Sequence, residues 1–473
     1  MDIKTAIKKM REKGSRKTVQ YLMRKLDRIH VENGGESKYI NILLLTNRDS
    51  DNVGDQVIEA CDISLIETVA ENLKEKCYIE SRAASIVSKN YLRTRKRELL
   101  KKAESLIANS DLIIFGGAPM FNYLYQDFYE RTAVTLELAQ KYHKPVLFSA
   151  IGIEGYDEEN AKCQRLKKTL NYDCVKQITT RDDFDSLLKY KVNESIKVDK
   201  VSDPAVFSSA IFDRYKANKE RNKKIGIFIL RQNGFVDNKI DFPREDAAAL
   251  WVSLADRLKQ SGYDYEFLTS GHFADEAFID YLIRECGISQ NKCVFNMNSP
   301  EKLLEKISSC DAVVSCRLHP SIISYALDVP SLGLIWNPKV KGFYDSIGYG
   351  DRAIEVNREI TADRILDKIK QIITEGIRKD EEFLTSVYRS LFFGIRNALH
   401  LTEAPDSPYS YGELVEKLPP YNIVPAKEEE ERLQRKFRRT YQMYNKRFDK
   451  IMYLQERVRL LESENAKLKS ETG

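Results

Sequence analysis

An α/β protein with two doubly wound, Rossmann-like domains in tandem and a C-terminal helical coiled-coil extension is what this 473-residue chain predicts. Three observations carry that reading. Short apolar runs alternate with amphipathic stretches of helical length, the pattern of parallel β-α-β units. The alternation occurs twice, divided by the polar run RYKANKERNKK at Arg214–Lys224. The chain then changes to heptad spacing near its end.

Residues 1–39 form a basic helical arm and linker. Ile3, Ile7 and Met10, then Val19, Leu22, Met23, Leu26 and Ile29, recur at helical spacing between basic residues, and Asn33-Gly34-Gly35-Glu36-Ser37 reads as a linker. Such a segment can lie on an anionic membrane surface or pack on the body as a pair of helices. The first domain, 40–215, has strands at Ile42–Leu45, Leu112–Phe115 and Val146–Ala150 and shorter ones at Ile178–Thr180 and Ile196–Val201. Helices at Gln56–Asn72, Arg97–Ala108 and Thr132–Lys141 lie between them.

The second domain, 216–375, has strands at Ile225–Leu230, Tyr265–Leu268, Cys293–Phe295, Ala312–Cys316 and Leu332–Trp336, with helices at Ala247–Gln260 and Pro300–Ser309. Two such domains place a cleft between their strand C-terminal edges, the geometry of a GT-B-like enzyme. Residues 376–424 read as a helical and loop extension, and 425–473 as a coiled coil. There Leu433, Thr440, Arg447, Leu454, Leu461 and Leu468 fall at d, and Phe437, Tyr444, Ile451, Val458 and Asn465 at a. A lone Asn at an a position favours a parallel pair, so 433–468 is expected to form a homodimer; the alternative is one amphipathic helix folded back on the body.

Composition removes several classes. Lys+Arg number 76 and Asp+Glu 71, a net charge of +5. Residues 1–30 carry +7 and 425–473 carry +4, leaving −6 to the 394 residues between, so the body is not shaped to bind nucleic acid. No apolar run is long enough to span a bilayer, and the basic N-terminus lacks the apolar core of a secretory signal. The eight cysteines are scattered without a CxxC or CxH cluster, which reads as reduced thiols in a cytoplasmic protein and argues against a structural zinc.

Five motifs sit where strands hand over to helices. Asn52-Val53-Gly54-Asp55 follows the first strand; Asp55 can cap a helix or hold a ligand hydroxyl. Gly116-Gly117 at a strand exit can admit a ligand to the backbone or merely make a tight turn. Arg181 can grip an anion or pair with Asp182 or another acid, while Asp203 in Ser202-Asp203-Pro204-Ala205 is most simply structural. The most specific is Arg317-Leu318-His319-Pro320 after strand Ala312–Cys316, where a helix N-terminus points its free N–H groups at whatever Arg317 and His319 surround. Lys339 adds a cation at the adjacent edge. The DxD triplets Asp49–Asp51 and Asp183–Asp185 match chance expectation and carry no weight.

In order, N-x-G-D (52–55), G-G (116–117), R-D (181–182), D-P-A (203–205), R-x-H (317–319) and P-K (338–339) resemble the polysaccharide pyruvyl transferase family over about residues 40–350. The resemblance implies a GT-B-like fold and transfer of the pyruvyl group of phosphoenolpyruvate to a sugar of a bacterial surface glycan, forming a cyclic ketal. It implies donor-binding or catalytic roles for Arg181, Arg317, His319 and Lys339, and an acceptor-side role for Asn52 and Asp55. Ala118 departs from the family's usual third glycine. His319 is the expected general acid, titrating near neutrality, with Asp55 as base or hydroxyl anchor. Phosphoenolpyruvate is then the donor, with no further cofactor and no metal. A free or lipid-linked glycan is the acceptor, and the arm at 1–30 offers peripheral contact with the inner face of the cell membrane. The competing readings are a glycosyltransferase using a nucleotide sugar and a catalytically silent dimeric scaffold in glycan assembly.

Overall fold

The computed structural model describes residue 27 and residues 39–124, 127–216, 223–422 and 426–471. The 1–30 arm, apart from position 27, lies outside the described residues, as do the 33–37 linker and the middle of the polar run dividing the two series. Two wholly parallel sheets organise residues 39–422. The first contains β1 (Ile40–Thr46), β2 (Cys77–Ala83), β3 (Leu112–Gly116), β4 (Val146–Ile151), β5 (Val175–Thr180) and β6 (Lys197–Lys200) in the order β2-β1-β3-β4-β5-β6. The second contains β7 (Lys224–Phe228), β8 (Asp264–Leu268), β9 (Ala312–Ser315), β10 (Ser331–Ile335) and β11 (Ala353–Glu355) in the order β11-β10-β9-β7-β8. Counted from its own first strand, each sheet winds 2-1-3-4-5, the first adding a sixth strand. Each therefore reverses direction once, between β1 and β3 and between β7 and β9, and opens a crevice there at the strand C-termini.

The central strands are continuous apolar runs because helices cover both faces; Leu43, Leu44 and Leu45 are all buried. The edge strands β2 and β11 lack that pattern. β2 reads CYIESRA and β11 only AIE, which is why apolar runs did not reveal them. The expected strand Cys293–Phe295 is a correction: only a single bridge joins Cys293 to Phe267. A 3-10 turn at Gln290–Lys292 before it and left-handed Asn296 (φ 61°) after it leave no length for a ladder.

Helix α1 (Val53–Asn72) starts three residues before the expected Gln56 because the Asn52 side chain caps it, accepting from Gly54 N at 3.2 Å. Its first N–H, on Val53, donates to Ser270 O at 2.8 Å, so the second half of the molecule holds the start of a first-half helix. The halves also share one core: Val53 and Val57 belong to the same apolar cluster as Met297, Leu303, Ile322 and Ile323. Four more helices matter for the site: α2 (Phe273–Cys286), α3 (Leu318–Ala326), α4 (Pro338–Ser346) and α5 (Glu381–Ala398). The last returns across the first sheet, packing on β4, β5 and α1. Asn72 Nδ2 donates to the Tyr388 hydroxyl at 2.8 Å, and Gln177 Nε2 to Ser390 Oγ at 2.8 Å. The extension at 376–422 thus completes the first half's helical cover.

Residues 426–471 are a separate unit, the single helix α6 (Ala426–Glu471) of 46 residues, about 70 Å long at 1.5 Å per residue. Its apolar side chains, Phe437, Tyr444, Ile451, Leu454, Val458 and Leu461 among them, are exposed. Among the described residues no helix is long and apolar enough to cross a membrane.

Candidate active site

The strand C-terminal edges of both sheets meet at one pocket, and His319 is where they join. His319 is the second residue of α3, directly after β9 and its loop. Its Nδ1 lies 2.9 Å from Asn52 Nδ2. Because Asn52 Oδ1 is already accepting from Gly54 N, the amide presents its NH₂ to the ring. Nδ1 must therefore be the bare, accepting nitrogen, and Nε2 carries the proton of a neutral imidazole. That Nε2 is buried, has no hydrogen-bond partner, and stands 3.9 Å from Asp55 Oδ1.

Gly54 exists for this contact. A Cβ there would fall 2.2 Å from His319 Nδ1 and 2.3 Å from its Cβ and Cγ, so no side chain fits. Burial, then the charges of Arg181, Lys339, His272 and Arg317, push the His319 imidazolium well below the usual histidine range. Its place in the first turn of α3, at the positive end of the helix dipole, acts the same way. The expectation that His319 titrates near neutrality is thus corrected: in this pocket the ring is neutral. Asp55 moves the opposite way. Burial raises its carboxyl to about 6, against the lowering effect of Ser50, Arg181 and Asn47, whose Nδ2 donates to Asp55 Oδ2 at 2.9 Å.

Three cations surround this pair. Arg181, after β5, is buried and bonds Asp203 through Nη1, leaving its Nε without a hydrogen-bond partner. Asp203 also caps the turn Pro204–Phe207, accepting from Ala205 N at 2.8 Å, so the structural reading of Asp203 and the pairing of Arg181 with an acid are one contact. Arg317 is forked on Asp275 of α2, with Nε 2.8 Å from Oδ2 and Nη2 2.6 Å from Oδ1. Asp275 is fully buried and also accepts from Arg231 N at 2.9 Å, tying β7 to β9 across the second crevice. With that edge of the guanidinium engaged, Nη1 is the nitrogen that can meet an anion.

Lys339, in the first turn of α4, reaches back to the first half: Nζ is 2.5 Å from Glu154 Oε1 and 3.8 Å from Asp182 Oδ2. Gly152 leaves room for this approach, since a Cβ there would sit 3.2 Å from Pro119 Cα and 3.3 Å from both Asp182 Oδ2 and Lys339 Nζ. His319 and Lys339 thus both lie in first helical turns, where positive charge is disfavoured: the ring is neutral, and the ammonium is held by Glu154.

Gly116 and Gly117 pack closely against α1. A Cβ on Gly116 would meet Asp62 Oδ2 at 2.2 Å, and one on Gly117 would meet Ile58 Cγ2 at 2.1 Å. They let β3 press against α1, and Gly117 takes φ +42° to do so. Ala118, in place of a third glycine, is buried in the core. The contact exposes a residue that sequence reading missed. Asp62 is buried, neither carboxylate oxygen finds a hydrogen-bond partner, and burial followed by the charge of Asp203 raises its carboxyl well above the usual range.

Asp275, Glu154, Asn47 and Asn337 were missed too. Asn337 precedes α4 but does not cap it, and its Oδ1 is buried without a hydrogen-bond partner. An Asn directly before Pro338-Lys339 was the available signal. Of the chance DxD triplets, Asp183 caps the helix Phe184–Tyr190.

A family model for polysaccharide pyruvyl transferase matches residues 52–338, from Asn52 through the proline before Lys339. The chain belongs to the polysaccharide pyruvyl transferase family. Membership makes it a transferase with a pyruvyl donor and a sugar acceptor. No curated protein sequence matches the chain. Among solved structures, the transferase is similar to the UDP-GlcNAc 2-epimerase of Methanocaldococcus jannaschii in complex with UDP-GlcNAc and UDP, at 12% identity and TM-score 0.47, covering 77% of this chain and 99% of that one. It is also similar to a glycosyltransferase from Rickettsia africae, at 14% identity and TM-score 0.44, covering 80% and 96%.

Proposed function

We propose that this pyruvyl transferase takes phosphoenolpyruvate as donor, and that Asp55 and His319 together manage one transferable proton while Arg181, Arg317 and Lys339 hold the donor. The observation that carries the reading is the pair itself: a buried Nε2–H without a partner, 3.9 Å from a carboxyl raised to about 6, with three cations around it. Phosphoenolpyruvate carries a phosphate and a carboxylate, and guanidinium groups suit both.

The donor's negative charge offsets the cations that depress His319 and raises Asp55 further, so the loaded pair retains its proton. The pair delivers it to the enol CH₂, C2 becomes electrophilic, and a sugar hydroxyl adds there, its proton passing to the emptied pair. Phosphate then leaves with its bonding electrons, and a second hydroxyl closes the ketal, giving its proton to the phosphate. Acid and base roles belong to the coupled pair rather than to either residue. The helix N-termini of α3 and α4 add N–H groups and positive potential where the phosphate departs. The acceptor is a glycan, free or lipid-linked, and the heptads ending at Leu468 support a homodimer.

Calorimetric titration tests the donor. Phosphoenolpyruvate should bind at least tenfold more tightly than a panel of nucleotide sugars, and Arg181→Gln should weaken it. Preference for a nucleotide sugar would transfer the pocket to glycosyl transfer.

A further inference from the structure

Helix α6 has two unlike halves. From Leu454 onward the apolar residues keep the heptad seam, Leu454, Val458, Leu461 and Leu468, and charges are balanced. Before it the seam fails at d, where Thr440 and Arg447 stand. Nine large apolar side chains stand there; Met443 and Tyr453 lie off the face formed by the other seven, Leu433, Phe437, Tyr441, Tyr444, Phe448, Ile451 and Met452. At 100° per residue these seven fall within one arc of about 100°, turned roughly a third of a turn from the seam of the second half. All seven are exposed, Phe437 at 74% and Tyr441 and Tyr444 above 60%. Residues 432–453 also hold eight basic side chains, Arg432, Arg435, Lys436, Arg438, Arg439, Lys446, Arg447 and Lys450, against Asp449 alone.

A second copy in register would set a net +7 against +7 along this stretch and crowd paired aromatic rings into the seam. An anionic lipid surface answers both features. The aromatic and aliphatic arc can sink to the headgroup level, where Tyr rings keep one polar end wet. Lys436 and Arg447 on one flank and Arg438 on the other can reach lipid phosphates, and the remaining cations add attraction to the surface potential. We propose that residues 432–453 of α6 are a membrane-surface helix for anionic phospholipid, and that self-association is confined to the seam from Leu454 to Leu468. This places the lipid contact on a segment other than the N-terminal arm and does not depend on the donor or the chemistry of the pocket.

The experiment is flotation of the full chain with vesicles of phosphatidylglycerol and phosphatidylcholine or of phosphatidylcholine alone, with light scattering for oligomeric state. The anionic vesicles should bind at least tenfold more protein, with binding falling as salt rises. Arg438→Gln/Lys446→Gln/Arg447→Gln/Lys450→Gln should lower that binding at least tenfold, and Phe437→Ser/Phe448→Ser should lower it while leaving the oligomeric state unchanged. Leu461→Ala/Leu468→Ala should shift the oligomeric state instead. Equal binding to both vesicle types, or undiminished binding by the fourfold variant, would overturn the proposal. So would a Phe437→Ser/Phe448→Ser protein that changes oligomeric state but floats normally, since the face would then be a self-association surface. Retention on single-stranded RNA without vesicle binding would assign the charge to nucleic acid and overturn it equally.

Discussion

Asn52 Nδ2 stands 2.9 Å from His319 Nδ1, joining two residues 267 positions apart across the two halves of the molecule. One amide does two jobs there. Its oxygen starts α1 by capping Gly54 N, and its nitrogen fixes which imidazole nitrogen is bare. Helix capping and the His319 tautomer are therefore a single constraint.

Replacing that amide by a carboxylate should reverse the tautomer. In Asn52→Asp the cap survives, but the group facing Nδ1 becomes an acceptor carrying negative charge, which favours the imidazolium. Nitrogen NMR of the His319 ring should show protonation at higher pH than in the wild type. An unchanged titration would mean that the Asn52 contact does not set the ring's state.

Gly54→Ala should displace His319, because the new methyl overlaps its ring atoms. Overpacking of this kind costs about 1–3 kcal/mol, and turnover should fall at least a hundredfold. Gly342→Ala is the control: its Cβ meets nothing within 4 Å, it lies within α4, and it should stabilise by about 0.5–1 kcal/mol with turnover unchanged. Urea melts and turnover on both variants check the pair.

The two raised carboxyls make a signed pH prediction. A folded-state value above the unfolded one contributes stability that is fully present below the unfolded value and is lost as pH rises through the folded value. For Asp55 that window runs from about 4 to about 6. Asp55→Asn should therefore melt higher than wild type at pH 7.5, by about 2–3 kcal/mol at most, with the gap closing towards pH 4. Asp62→Asn should behave alike in direction and, unlike Asp55→Asn, leave turnover near normal. Parallel melts of the three proteins at several pH values decide it; a gap that widens on acidification would contradict the sign.

Arg317 is positioned by its fork on Asp275. Arg317→Lys should not rescue Arg317→Ala, since an ammonium cannot engage both carboxylate oxygens in the plane. Both should raise the donor KM about tenfold or more. Asp275→Asn should do the same and also lose about 3–5 kcal/mol of stability, because it breaks a buried pair. Steady-state kinetics with thermal melts separate these outcomes.

What the sequence made legible follows from local chemistry. The central strands announced themselves because both faces are buried, and the Arg317-Leu318-His319-Pro320 turn did so because a proline in a first helical turn stands beside an arginine and a histidine. The edge strands β2 and β11 stayed hidden because one is largely polar and the other is only three residues long. The packing role of Gly116-Gly117 stayed hidden because a glycine that admits a ligand and one that admits a helix look the same until α1 is in place. Asp62 and Asp275 gave no signal at all: each sits inside an ordinary amphipathic helix, and its importance comes from what the fold sets against it. The protonation of His319 was equally out of reach, since it depends first on burial, then on charges of which Arg181, Lys339 and His272 come from distant segments, and on Asn52.

The most direct test of the central claim is to run the wild-type reaction in D₂O with phosphoenolpyruvate and candidate surface glycans, following phosphate and the mass of the glycan together. One phosphate should be released for each ketal formed, and the ketal methyl should carry a single deuterium delivered from the exchangeable Asp55–His319 pair. Ketal formed without deuterium, or no phosphate release with any glycan while a nucleotide sugar is consumed, would contradict it.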